Sequence, residues 1–523
     1  MCTCAIATAC FFAILTAPGA SLAAPGDLIT SFDSDGILTE NPSGSSDQIY
    51  DMAVDVTGIY LSGAYTSAGN SDEWRIEKRD PTSGALIAAF DGDGIITHSP
   101  PLSGSSDIAY DITIDSNYLY VAGGDFSPGN LQWRIEKRKL SDGALCTAAA
   151  CGTAFDGDGI INNDNPTTGL DGPFDIAVGG NYLYIVGYDN NGNCPGSCND
   201  QWRIEKRRSD SGALCTAAAC GTQFGTNGVV TNNPTNNNEN PNAVAVDVTG
   251  NYIYIAGFEA TSGQGLRIEK RRSDTGALCT AAACGTAFDT DGIVQLNDPL
   301  ALITYSATGI AVDAQYMYVI GWSADAFSLN WIVQKRNLGD GALVTPASSA
   351  SLTTGPSSIV IDSTAMYIAG TANNNWRIEK RDLSDLSLIA GFTDGGGPGG
   401  VALSNPSGSP EGAKTIALDT SGIYVAGYDH ALGNDQWRIE KRQATGAGAR
   451  GGTYVDCGVR INTGGAAVAL GCEPVGTLTS QLRIYKTGAP GAWRGVGLVP
   501  ANDPNGSKLR IQTPSGVRAL REY

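Results

Sequence analysis

Histidine is nearly missing from this chain of 523 residues, which holds two, His98 and His430. Neither stands in a metal-type spacing, so histidine triads and zinc hydrolase motifs have almost nothing to be built from. Charge is sparse as well, at 16% of residues, and the basic side is the poorer: 33 Lys and Arg against 53 Asp and Glu leave a net −20. A surface of that sign repels phosphate backbones, which argues against nucleic acid and anionic membranes as partners. Beyond the first 24 residues no segment approaches the ~18 apolar residues of a membrane span. No window carries a useful 3.6-residue apolar period either, which excludes helical solenoids.

What the chain does contain is glycine, 68 of them, and a recurring hexapeptide, WRIEKR. It stands at Trp74–Arg79, Trp133–Arg138, Trp202–Arg207, Trp376–Arg381 and Trp437–Arg442, and in altered form at Leu266–Arg271 and Trp331–Arg336. The seven copies start 59, 69, 64, 65, 45 and 61 residues apart, the mark of a modular array. In the second copy ITID (Ile112–Asp115) and YLYVAG (Tyr118–Gly123) flank a two-residue turn, a hairpin signal. WRIEKR alternates with the period of a strand, and the GAL…F segment after it reads as a fourth strand. Four antiparallel strands per unit, seven times, predict an all-β, seven-bladed β-propeller. The last repeat lacks its GAL…F, and Gly26 through Ile37 at the other end matches it, so the N-terminal strand is expected to close the ring.

Residues 1–24 read as a secretory signal, an apolar run ending in small residues, although no Lys or Arg precedes it. Residues 25–445 are the propeller, 446–452 a Gly/Ala-rich linker and 453–523 a small C-terminal β module. Ten cysteines remain beyond the signal, in close pairs: Cys146 with Cys151, Cys215 with Cys220, Cys279 with Cys284, Cys194 with Cys198, and Cys457 with Cys472. The three CTAAAC units lengthen GAL…F by six residues relative to the first repeat, so a local disulfide closing each inserted loop is the economical reading. Such bridges need an oxidising compartment, and the protein is expected to be secreted or displayed at the cell surface.

The run GDLITSFDSDGILTENPSGSSDQIYDMAVDVTGIYLSGAYTS, followed by WRIEKRD, resembles the delta-60 repeat family of bacterial secreted propellers. The likeness covers roughly residues 26–445; the cysteine insertions and the altered fifth and sixth copies depart from it. The resemblance implies the propeller fold and export, and it carries no catalytic residues to transfer.

Several residue sets invite a chemical reading. The D-x-D-G turns at Asp33/Asp35, Asp91/Asp93, Asp156/Asp158 and Asp289/Asp291 resemble half of a calcium loop, without its distal bidentate acid. They are also what a tight turn needs, which is the expected role. Asp55, Asp115, Asp247, Asp313, Asp362 and Asp419 close the first strand of six repeats and read as hairpin-turn formers. In WRIEKR, Trp and Ile are expected to fill the contact between blades, with Arg and Glu paired to neighbouring charges or solvated. The loops that enter each first strand remain as ligand-binding candidates: Asp47, Tyr50, Asp51, Asp107, Tyr110, Asp111, Phe174 and Asp175. They point to a non-catalytic binder of an extracellular glycan, cell-wall component or protein. The alternative is a carbohydrate-active hydrolase or lyase using carboxylates at the channel mouth.

Overall fold

A computed structural model describes residues 24–445 apart from 68–70, 100–105, 127–128, 164–169, 191–199 and positions 236, 262, 299, 301, 395 and 406. Beyond 445 it describes only short backbone strands between 461 and 519. The apolar N-terminus, the Cys194/Cys198 and Cys457/Cys472 pairs and the linker therefore lie outside the described residues.

Pro25–Thr445 is one compact unit of seven four-stranded antiparallel sheets. In the first blade the strands are Asp47–Asp55, Gly58–Thr66, Asp72–Arg79 and Ile95–His98, paired in that order. The seventh blade takes three strands from the end of the unit and its fourth, Ile37–Glu40, from the beginning. Ile37 faces Glu440 and Glu40 faces Trp437, and Leu28 bridges Arg442, so the ring closes as the repeat pattern predicts. The second unit holds short strands of its own: Gln481–Ile484 pairs with Leu470–Gly471 and Arg494–Gly497, and Arg510–Thr513 pairs with Gly516–Ala519.

One strand assignment needs correcting. GAL…F is not the fourth strand in six of the blades; its leucine makes a single bridge to the last arginine of the hexapeptide, as Leu86 does to Arg79. The chain then turns through D-x-D-G, with Asp91 at φ 53°, Gly92 at 90° and Gly94 at 93°, and only afterwards pairs as Ile95–His98. Left-handed backbone at consecutive positions cannot continue a ladder, which is why the strand starts late. The phenylalanine of the motif is a plug, fully buried at Phe32, Phe90, Phe155, Phe224, Phe288 and Phe392. The fifth repeat has neither turn nor Phe, so its strand Leu343–Leu352 pairs directly, and this accounts for the 45-residue spacing.

The hexapeptide holds the blades together through both of its faces. Trp, Ile and Lys point to the following blade. Trp74 Nε1 donates to the carbonyl of Gly124 (2.8 Å), Trp437 Nε1 donates to that of Ala64 (3.2 Å), and four other tryptophans repeat the bond. Arg, Glu and Arg point to the preceding blade, where Arg134 lies over the Trp74 ring at 5.4 Å. The central glutamate takes both arginines: Arg203 and Arg207 meet Glu205 at 2.5 and 2.6 Å. These groups are buried and paired, so of the two expectations for them, pairing holds and solvation does not. Burial pushes the carboxyls of Glu136, Glu205, Glu269 and Glu440 up, but their flanking arginines hold each below the usual range. Glu77 is the exception, raised by burial, with Glu40 as a second carboxylate on the same arginines.

The three CTAAAC units form alike. Each threonine caps one helical turn, and Cys146–Cys151, Cys215–Cys220 and Cys279–Cys284 are disulfide-bonded.

Candidate functional site

The first strand of every blade carries a β-bulge, at Tyr50, Tyr110, Phe174, Asn242, Thr308, Ser357 and Lys414. A bulge turns two consecutive side chains toward the same side, and here that side is the propeller axis. Across from it sits a glycine that cannot change. A Cβ on Gly123 would stand 2.1 Å from the carbonyl of Ile108 and 2.7 Å from the Trp74 ring.

The bulge residues and their successors line an axial cavity of about 340 Å³. Its wall is asymmetric. Blades one to three present an aromatic ring followed by an aspartate: Tyr50–Asp51, Tyr110–Asp111 and Phe174–Asp175. Blades four to seven present Asn242, Thr308, Ser357 and Lys414. Tyr50 and Tyr110 meet edge to face at 5.7 Å, and Phe174 packs against Tyr188 at 5.3 Å.

The same residues stitch the blades around the axis. Thr415 Oγ1 donates to Asp51 Oδ1 (2.7 Å), closing the seam between the last blade and the first. Backbone N–H groups of Ile112, Ile176 and Val244 donate to Asp51, Asp111 and Asp175 at 3.2, 2.6 and 2.6 Å. Asn242, Thr308 and Ser357 donate to the carbonyls of Ala307, Pro356 and Ala413 at 2.7, 2.7 and 2.9 Å. All seven seams are crossed.

Asp111 shares hydrogen bonds with both flanking carboxyls, Asp51 and Asp175. Burial first, and then the two neighbouring aspartates, raise it well above the ordinary carboxyl range. Burial raises Asp175 too. Burial lowers Lys414, whose ammonium lies 5.7 Å from the Tyr50 ring and 5.6 Å from that of Tyr428. The cavity thus combines carboxyl donors and acceptors, rings, hydroxyls, one amide and one amine.

Six of the eight ligand-binding candidates meet in this cavity: Tyr50, Asp51, Tyr110, Asp111, Phe174 and Asp175. Asp47 and Asp107 do not. Asp47 is fully buried and accepts from Ser43 N and Thr66 N. Asp107 accepts from Phe126 N, and burial pushes its carboxyl up to about 6. Asn242, Thr308, Ser357 and Lys414 escaped the sequence reading, although they occupy the repeat position of Tyr50; register, not residue type, was the available signal.

The D-x-D-G acids sit on the outer side of the blades. Asp35, Asp93, Asp158 and Asp291 each accept from the backbone N–H two residues on, while the backbone N–H groups of Asp33, Asp91, Asp156 and Asp289 donate to carbonyls in the next blade. No third carboxylate joins any of them in a metal-sized cluster among the described residues. Asp55, Asp115, Asp313, Asp362 and Asp419 likewise accept from backbone N–H groups of their own hairpin turns.

No family model matches the chain, and no curated protein is similar to it in sequence. The delta-60 likeness therefore rests on the repeat pattern alone. Solved structures do align with it. Sqt1 from Chaetomium thermophilum aligns over 86% of this chain and 97% of its own, at 11% identity and a TM-score of 0.37. The WD40 domain of Neurospora crassa Pan2 covers 76% and 91%, at 8% identity and 0.41. The periplasmic gluconolactonase PpgL of Pseudomonas aeruginosa covers 65% and 82%, at 12% and 0.36. The likeness is one of fold.

Proposed function

We propose that this protein is a secreted or cell-surface, non-catalytic propeller whose axial cavity binds the polyhydroxylated end of a glycan or cell-wall component. The observation that carries the reading is the run of ring–aspartate pairs on three adjacent blades, facing hydroxyl and amide groups across one cavity. Neighbouring carboxyls, one of them raised by burial, beside hydroxyls and an amide offer acceptors and donors together, as sugar hydroxyls require. The rings supply flat apolar surface beside them. The local disulfides fit an oxidising compartment.

Catalysis is the second reading, and the raised carboxyl of Asp111 favours it: a raised acid beside other carboxylates is how general acids are made.

The test is a glycan and cell-wall-fragment binding screen of the full chain, repeated with Tyr110→Ala and Asp111→Leu. Selective binding that both substitutions abolish supports the cavity as the site. Binding that survives both overturns it, as does a blank screen, which would favour a protein partner. Turnover of a bound sugar, lost in Asp111→Asn, would establish the catalytic reading instead.

A further inference from the structure

A different cluster lies in the seam between the first and second blades. His98 ends the outermost strand of blade one, opposite Trp74, whose ring meets the imidazole edge to face at 6.4 Å. Its Nε2 lies 3.6 Å from Asp107 Oδ2 and 3.9 Å from Asp125 Oδ2, and the three atoms lie within 4.8 Å of one another. Asp107 has no exposed surface and Asp125 has 1%. Among the described residues neither His98 Nε2 nor Asp107 Oδ2 has a hydrogen-bond partner.

That last fact is what needs explaining. A fully buried carboxylate oxygen normally finds a donor, because leaving it bare forfeits its hydration with no return. This one instead faces a ring nitrogen at a separation too long for a hydrogen bond. It suits two ligands of one ion: bonds of about 2.1 Å at tetrahedral angles place donor atoms about 3.4–3.6 Å apart. We propose that His98, Asp107 and Asp125 hold a divalent transition-metal ion of the zinc class, with the half-exposed side of His98 left open for a water or an incoming ligand.

The charges around the cluster permit it. Arg134 Nη1 contacts Asp125 Oδ2 at 3.1 Å, but Arg134 and Arg138 are both engaged by Glu136. Asp107, Asp125 and Glu136 against these two arginines leave one negative charge. One nitrogen and two oxygens suit zinc better than calcium, which takes oxygen alone and more of it. The histidine sets this seam apart: Glu239 Oε2, at the repeat position of Asp107 in blade four, is bare too, yet only His98, Asp107 and Asp125 form such a cluster among the described residues. At the register position of His98 the other blades carry Asn163, Asn232, Leu296, Ser349, Ser404 and Glu40, so one ion per molecule is expected. It is also distinct from the axial cavity, whose lining includes none of the three ligands.

The experiment is a calorimetric titration of zinc chloride into the oxidised full chain with free thiols alkylated. The variants are His98→Ala, Asp107→Asn and, as a control, His430→Ala. One saturable equivalent is expected, with affinity reduced at least about tenfold in the first two variants and unchanged in the third. Metal-free melting curves show that each variant is folded. If His98→Ala does not fold, the cobalt(II) adduct of the wild-type chain decides, through the intense visible bands of a four-coordinate nitrogen–oxygen site. Absence of saturable binding, binding indifferent to His98 and Asp107, or lack of those cobalt bands overturns the assignment.

Discussion

Lys441 Nζ donates to the carbonyl of Pro81 at 2.6 Å, across 360 residues of sequence. Six other hexapeptide lysines make the same bond to the next blade, Lys78 to Leu140 and Lys206 to Ser273 among them. The seam where the chain ends meet is therefore built like every other seam. Arg442 Nη1 adds a bond to the carbonyl of Gly26 (2.7 Å), tying the N-terminal segment to the last hexapeptide.

Removing residues 25–40 should cut deeply into stability. Phe32 is fully buried and Leu38 nearly so, and these two side chains together contribute roughly 3–6 kcal/mol. A large drop in melting temperature is expected by calorimetry, together with exposure of the Gln436–Arg442 edge to added strands. An unchanged melt would refute closure by this segment.

The buried ion pairs yield a sharper test. Glu205→Gln leaves Arg207 facing a neutral partner and Arg203 with Asp189 alone, and should cost about 3–5 kcal/mol in denaturant unfolding. Blade five already carries Gln334 at this position, and there the upstream arginine is Ile332. Arg203→Ile and Asp189→Ser, the residues blade five carries at these positions as Ile332 and Ser323, combined with Glu205→Gln should therefore recover part of the loss. A triple variant no better than the single one would show that the pairing does not matter.

Protonation of the axial row sets a pH signature. Asp111 is raised above its unfolded value of 3.8, so its contribution is fully present below that value and is lost as pH rises through the folded pKa. Asp111→Asn mimics the protonated form and should remove this fall while keeping an acceptor for Ile176 N–H. Glu136, Glu205, Glu269 and Glu440, all lowered, tilt the other way, their contribution being lost as pH falls below about 4.5. The difference between wild-type and variant pH profiles therefore reports on the coupled row of Asp51, Asp111 and Asp175. Parallel profiles would contradict a raised carboxyl in that row.

Each CTAAAC bridge closes a very short loop, so chain entropy limits its contribution to about 2 kcal/mol. Cys146→Ala with Cys151→Ala should lower stability by that order, and mass spectrometry of the unreduced chain should place the three bonds as local pairs. Free thiols at these positions would exclude them.

One pair of departures from the repeat shows where reading the chain alone stops. Leu266 replaces Trp in the fourth hexapeptide and Ile332 replaces Arg in the fifth. On the sequence they are two unrelated lapses. In the fold, each hexapeptide arginine lies over the tryptophan of the preceding blade, as Arg377 does over Trp331, and Ile332 packs against the core that contains Leu266. Loss of the ring and loss of the cation are one event.

Period, strand alternation and the stranded N-terminal match are local or repetitive properties, so the propeller, its seven blades and its closure could be read from residue order. That six of the eight ligand candidates share one cavity follows for the same reason, since a position repeated around a ring must face the axis in every blade or in none. The bulge register, the burial of the Arg–Glu–Arg rows, the raised carboxyl of Asp111 and the meeting of His98, Asp107 and Asp125 were not. Each depends on which side chains face one another across a seam and on how much water reaches them. Those are distances and dielectric surroundings, and residue order alone contains neither.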